Sequence, residues 1–405
     1  MTVPRRKFLG TLPMLAVAPQ LLATETSLVQ SIEKVVLRQG RSGPGPTWFH
    51  PRGCMVPMNG KPTAFFTLQT IAGSDYFGPV HWMTSGDMGK TWSEPAPVPS
   101  LGRIPRDGGV SEGVCDVVPE YHAPTKSVLA LGHVVFYKQG RFYKEQPARY
   151  PLYSVYRDGA WGERMKLEWE DPRGANIYTN NCGQRVVLPD GNILFVMSFG
   201  KTQNARSAAG VICSFDGKKL SISKVGREIK HNAGRGLLEP STVAHGGKYF
   251  LTLRAEDNRG YVCASEDGLD WSEKKPWAWE DGTPLDMSTT QQHWLSHSEG
   301  LHLVYTRKDA SNLNVVRWRS PLFIAQVDVQ KLCLVRSTEK VVLPITGDGV
   351  NQPDDVALMG NFHPLNVSAQ ESWVTDGEIL HKKGFKGDLL LGRITWNKPN
   401  RLVLV

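Results

Sequence analysis

No Cys-x-x-Cys pair occurs among the six cysteines, Cys54, Cys115, Cys182, Cys213, Cys263 and Cys333, which stand far apart. A thiolate metal site needs closely spaced pairs, so no metal and no cofactor is expected. Several cysteines sit in apolar runs such as Val211-Ile212-Cys213 and Tyr261-Val262-Cys263-Ala264, and read as buried free thiols in preference to disulfides. Runs of Lys or Arg are missing too. The formal charge is +8, of which Arg5, Arg6 and Lys7 supply three, and the other +5 is dispersed. That pattern excludes a surface tracking nucleic acid and suits an anionic glycan partner. After residue 23 no stretch reaches the roughly 20 apolar residues of a membrane span. Helical periodicity beyond two turns is absent between residues 40 and 405, and only Ser27 to Lys34 reads as a short helix.

What is present starts with Arg5-Arg6-Lys7-Phe8-Leu9, followed by the apolar run Thr11 to Ala23. Paired arginines, then Phe-Leu, then a run too short to span, form a twin-arginine export signal over residues 1–23. The expected location is periplasmic or secreted, with the protein exported already folded. The remaining chain reads as one domain over 30–405, since the 40 Gly and 27 Pro of the whole sequence are spread without a linker. Short apolar runs follow turn signals. Ala64 to Leu68 follows Asn59-Gly60-Lys61, Asn192 to Val196 follows Pro189-Asp190-Gly191, and Tyr249 to Leu253 follows Gly246-Gly247-Lys248.

Ser85-Gly86-Asp87-Met88-Gly89-Lys90-Thr91-Trp92 carries the pattern Ser-x-Asp-x-Gly-x-Thr-Trp, the Asp-box of propeller outer hairpins. Asp and Ser bond backbone groups across the turn, Gly supplies a positive φ, and Trp plugs the space below. Ser265-Glu266-Asp267-Gly268-Leu269-Asp270-Trp271 is a shortened copy, Ser214-Phe215-Asp216-Gly217 a degenerate one, and Arg157-Asp158-Gly159-Ala160-Trp161 a fainter one. Copies lie roughly 50–70 residues apart, the interval of a four-stranded blade. About 380 residues at about 60 per blade predict an all-β, six-bladed β-propeller.

Further motifs resemble the sialidase (neuraminidase) superfamily along most of the chain. Pro51-Arg52-Gly53 precedes a dipeptide turn as that family's first arginine does, and Gly73-Ser74-Asp75-Tyr76 stands where it keeps an acid. Leu188-Pro189-Asp190-Gly191-Asn192-Ile193-Leu194 matches a mid-chain strand. Leu238-Glu239-Pro240-Ser241 followed by Leu253-Arg254 matches the Glu-and-Arg segment, and Arg319 in Arg317-Trp318-Arg319 stands for a third arginine. Arg103-Ile104-Pro105 repeats the first-arginine motif literally, but after the Asp-box, and is set aside. The resemblance implies a carboxylate clamp of Arg52, Arg254 and Arg319, with Asp75 as acid and Glu239 as base or activator.

The chemistry holds by itself. Guanidinium groups grip a carboxylate in a plane, and a nearby acid can protonate a glycosidic oxygen. One departure matters: the family's late nucleophilic Tyr is missing, because no Tyr follows Tyr305. Gly360-Asn361-Phe362-His363 occupies its place, so either another Tyr (Tyr121, Tyr137 or Tyr305) comes from a different blade, or no Tyr nucleophile is used and His363, with His293 in Gln291-Gln292-His293-Trp294, is a candidate for proton transfer or substrate contact. The expected function is an exo-acting glycoside hydrolase of the sialidase type releasing a terminal acidic sugar. The alternatives are a propeller glycosidase or lyase acting on uronic-acid polysaccharides, and a non-catalytic glycan-binding propeller.

Overall fold

Strand after strand returns on itself through tight turns, and a computed structural model describes residues 27–403 together with Met1. The signal read at 1–23 lies, Met1 aside, outside the described residues. Hairpins form where two consecutive residues take positive φ. Asn59 and Gly60 (51° and 74°) join the strands Thr47–Met58 and Lys61–Gly73, and Gly246 and Gly247 (57° and 79°) join Leu238–His245 and Lys248–Arg254. Six antiparallel sheets result, and the only helices among the described residues are short 3₁₀ turns. The fold is an all-β propeller.

The innermost strands of five sheets are Thr47–Met58, Val110–His122, Leu238–His245, His293–His297 and His363–Asn366; in the third sheet Ile177–Thr179 and Val186–Val187 share that place. Hydrogen bonds step from each sheet to the next around the ring. Thr67 Oγ1 donates to the Val117 carbonyl (2.7 Å), Arg185 Nη2 to Val118 (3.1 Å), and the Thr242 amide to Gln184 (3.2 Å). Trp294 Nε1 donates to Ser241 (2.8 Å), Asn366 Nδ2 to Ser296 (3.0 Å), and Thr375 Oγ1 to Pro51 (2.6 Å), which returns to the first sheet.

Apolar side chains fill the wedges between sheets. Phe195, Met197 and Val211 meet Leu129, Leu131 and Tyr153 between the second and third sheets. Trp373 and Leu391 meet Phe66 and Met83 between the last and the first. Burial of such surface, at about 25 cal/mol per Å², is the main force holding one sheet on another. Val29–Arg38 completes the last sheet by pairing with Leu389–Trp396, in the register Val35 to Leu391. The short helix expected over Ser27 to Lys34 is therefore a strand. An exposed edge beside Leu389–Trp396 offers a full ladder of backbone bonds, and eight to ten residues of weak helix propensity gain more by filling it.

The turn after His81–Ser85 is organised by Asp87. Its Oδ1 accepts from the amides of Lys90 (3.1 Å) and Thr91 (2.9 Å), and its Oδ2 accepts from the Thr91 hydroxyl (2.6 Å). Trp271 is buried under the equivalent turn at Asp267, whereas Trp92 is only half-buried against Phe66. All six cysteines are free, five of them buried. No helix among the described residues is long and apolar enough to cross a membrane.

Candidate functional site

Every innermost strand sends a residue to one cavity of about 410 Å³ at the propeller axis. His50, Asp116 and Glu239 arrive from within those strands, and Asn181, Thr290 and Asn361 from just beyond the strand ends, one from each sheet. Four of the six, His50, Asp116, Asn181 and Glu239, have positive φ between 46° and 55°. At His50, Asp116 and Glu239 the cause is a β-bulge, because the ladders slip between Phe49 and Arg52, Cys115 and Val118, and Leu238 and Ser241. A bulge re-aims one side chain out of the pleat. Left-handed backbone at residues with a Cβ costs on the order of 1 kcal/mol or more each, and such strain gathers where geometry serves a site.

Asp75, Glu239, Arg254 and Arg319 all line the cavity. Asp75 is exposed on the turn after Lys61–Gly73, with φ of 52° and no side-chain hydrogen bond among the described residues. Glu239 Oε1 accepts from Arg254 Nη1 at 2.5 Å, while its Oε2 is buried without a partner. Arg254, at the end of Lys248–Arg254, also donates Nε to Thr289 Oγ1 (3.3 Å). Arg319 donates Nε to the Met359 carbonyl (2.6 Å), and no carboxylate among the described residues pairs with it. Its neighbour Arg317, with φ of 55°, lines the cavity as well.

Arg52, His293 and His363 are not brought into the lining. Arg52 is wholly buried, its Nη2 donating to Asp116 Oδ1 at 2.8 Å and its Nη1 to the Phe362 carbonyl at 3.4 Å. The bulge at His50 explains the displacement. The extra residue turns His50 to the cavity and leaves Arg52 in the packed layer beneath. His293 bonds Ser241 Oγ through Nδ1 (3.0 Å) and lies 5.6 Å, ring to ring, from His363. Burial holds both imidazoles neutral, with His363 pulled down to about 3.

The lining contains groups that no motif announced. Asp116 faces His50 Nε2 at 3.6 Å and His133 Nδ1 at 4.0 Å. Burial alone would raise its pKa, but His50, Arg52 and His133 outweigh burial and hold the carboxyl far below the usual range. Burial pulls His50 down to about 4, and burial with the nearby Arg149 keeps His133 neutral as well. Cys115, Asp116 and His133 bring three donor atoms within 4.8 Å of one another. These donors are already engaged: Arg52 holds Asp116, while Arg149 Nη2 and Cys115 Sγ meet His133 Nε2. Two guanidinium groups in that position disfavour a cation. The available signal was an Asp inside the apolar run Val114 to Val118 and a His inside Leu129 to Phe136.

In total six arginines and three carboxylates line the cavity, and no tyrosine does among the described residues. The arrangement can hold anionic groups and move a proton at Glu239 Oε2.

Neither a protein-family model nor a curated protein matches the chain. Solved structures do. A protein of unknown function from Dyadobacter fermentans superposes with a TM-score of 0.63 at 14% identity, over 91% of this chain and all of that one. Trypanosoma rangeli sialidase gives 0.58 at 15% identity over 90% of this chain, which spans 60% of its length. A Hadza microbial sialidase gives 0.59 at 14% identity, over 89% of this chain and 68% of that one. At these identities the likeness is one of fold, a propeller of the sialidase type.

Proposed function

We propose that the protein is a six-bladed propeller, each sheet a blade, and an exo-acting glycoside hydrolase that releases a terminal acidic sugar. The observation that carries this reading is Glu239, strained at a bulge, with one oxygen fixed by Arg254 and the other buried and free at the cavity. Arg254, Arg317 and Arg319 hold the sugar carboxylate. Glu239 Oε2 takes a proton from water, whose oxygen attacks the anomeric carbon. The glycosidic bond breaks, and Asp75 serves as the proton donor to the leaving oxygen. Asp116, kept ionised, stabilises the positive charge that develops on the ring. With no tyrosine in the lining among the described residues, water displaces the aglycone directly and the anomeric configuration inverts. The paired arginines at positions 5 and 6 support export through the twin-arginine route.

The neutral imidazoles of His50 and His133 favour one second reading, a lyase in which an imidazole abstracts a proton beside an arginine-bound uronate. The two readings separate on product. Purified protein is assayed on aryl glycosides of acidic sugars and on uronic-acid polysaccharides, with Glu239→Gln alongside. Hydrolysis lost by about 10²-fold or more in Glu239→Gln, with ligand binding near normal, supports the hydrolase. An unsaturated, ultraviolet-absorbing product made equally by Glu239→Gln supports the lyase. Binding without any product leaves a glycan-binding propeller.

A further inference from the structure

Three of the six lining arginines come from other elements than the set beside Glu239 and Arg319, and the two sets meet at Glu256, which pairs with Arg235 at 2.6 Å and faces Arg254 at 3.8 Å. Arg149, Arg206 and Arg235 come from the second and third sheets and the loop that follows; backbone bonds tie Arg206 directly to Arg235, and Arg149 to the inner edge of the third sheet. The Arg149 amide donates to Asn176 (2.8 Å), and the Arg206 amide donates to the Arg235 carbonyl (2.9 Å). Gly236, at φ of 83°, closes this contact: a Cβ there would stand 2.0 Å from the Arg206 carbonyl oxygen. Nothing larger than glycine fits.

The charges of this second set are only partly balanced. Arg235 is tied to Glu256, with Nη2 to Oε1 at 2.6 Å. Arg206 is 5% exposed and spends only its Nε within the protein, on the Gln203 carbonyl (2.9 Å). Its two Nη groups meet no acceptor among the described residues, and no carboxylate pairs with Arg206 or Arg149. Burial, with Arg149 and Arg235 beside it, pulls Arg206 down to about 9. Like charges brought together and desolvated are costly in the empty protein. An anion seated against them removes that cost, and a guanidinium fork suits a planar or tetrahedral oxyanion.

We propose that Arg206 and Arg149 form a second oxyanion subsite, so that the ligand is at least dianionic: one carboxylate on Arg254, Arg317 and Arg319, and a second oxyanion on Arg206 and Arg149. The second group is a sulfate ester on the same sugar or the carboxylate of an adjoining acidic sugar. This rests on the acidic-sugar reading of the cavity and extends it from one charge to two.

The test begins with selenate, whose anomalous scattering locates it in soaked crystals independently of the sugar. Two sites are expected, one on Arg206 and Arg149 and one on Arg317 and Arg319. Calorimetry at constant ionic strength then compares a methyl uronide, its sulfate ester and a diuronide, all on the Glu239→Gln background. The expected result is that one or both dianions bind about 10-fold or more tighter than the monoanion. Arg206→Gln erases that advantage and leaves the monoanion within about 2-fold. The sulfate ester gaining alone assigns a sulfated sugar, and the diuronide gaining alone assigns an acidic chain. Arg149→Gln repeats the comparison, and thermal unfolding checks that each variant is folded. Selenate and monoanion bound only on the Arg319 side, with no dianion advantage, overturns this subsite and spares the acidic-sugar reading. No oxyanion at either set overturns both.

Discussion

Arg52→Met separates a guanidinium that grips ligand from one that supports the floor under the ligand. Methionine keeps most of the side-chain length and removes the charge. The lost contacts are the 2.8 Å bond to Asp116 and the longer ones to Phe362 and Gln291, all around a group with no exposure. Removing one partner of a buried pair typically costs about 3–5 kcal/mol, because the other charge remains buried. A folded unit of about 380 residues has an unfolding entropy near 0.8 kcal/mol/K, so the melting temperature should fall by about 4–6 °C. Affinity for an acidic sugar should stay within about 2-fold, since Arg52 is not in the lining; a clamp residue would cost about 10-fold or more. Adding Asp116→Asn should restore much of the lost stability, because the stranded charge is then gone. Calorimetric melting and titration calorimetry on the three proteins decide the matter. A variant as stable as the parent but unable to bind the sugar would refute the supporting role and return Arg52 to the clamp.

The case of Arg52 shows how far the residues alone could be read. The propeller was legible because turn chemistry is local: Asn59-Gly60, Gly246-Gly247 and the Asp87 turn each carry their conformation in two to eight residues. Glu239 and Arg254 were legible because they sit on two arms of one hairpin, where Leu238 pairs with Arg254. A bulge is not local in that sense. Nothing in Phe49-His50-Pro51-Arg52 says which residue slips, and the slip decides whether His50 or Arg52 meets the axis. The helix expected at Ser27 to Lys34 failed for a related reason, since its partner strand lies more than 350 residues away. Arg149, Arg206 and Arg235 belong to no motif, and only the packing of the second sheet on the third, with the loop after it, makes them neighbours.

Two further outcomes can be checked. Replacing Arg5 and Arg6 by lysine should leave folded precursor in the cytoplasm, read by fractionation and immunoblot; an undiminished periplasmic yield would show that the signal has been misread. Acid should unfold the protein through its buried imidazoles. His50, His302 and His363 are pulled by burial to about 4, 3 and 3, against an unfolded value near 6.5. The folded state therefore binds fewer protons, and the stability they contribute is complete above pH 6.5 and lost as pH falls toward 4. Asp376 acts oppositely. Burial raises it to about 7, so its contribution is present in acid and lost as pH rises through 7. At pH 5.5 the three histidines lose together about 4 kcal/mol, of which Asp376 returns about 2. The urea midpoint should thus hold level from pH 8 to about 7 and decline steadily below 6.5. A midpoint that stays level or rises down to pH 4.5 would mean that these imidazoles are protonated in the folded protein, and that their surroundings are wetter than the packing shows.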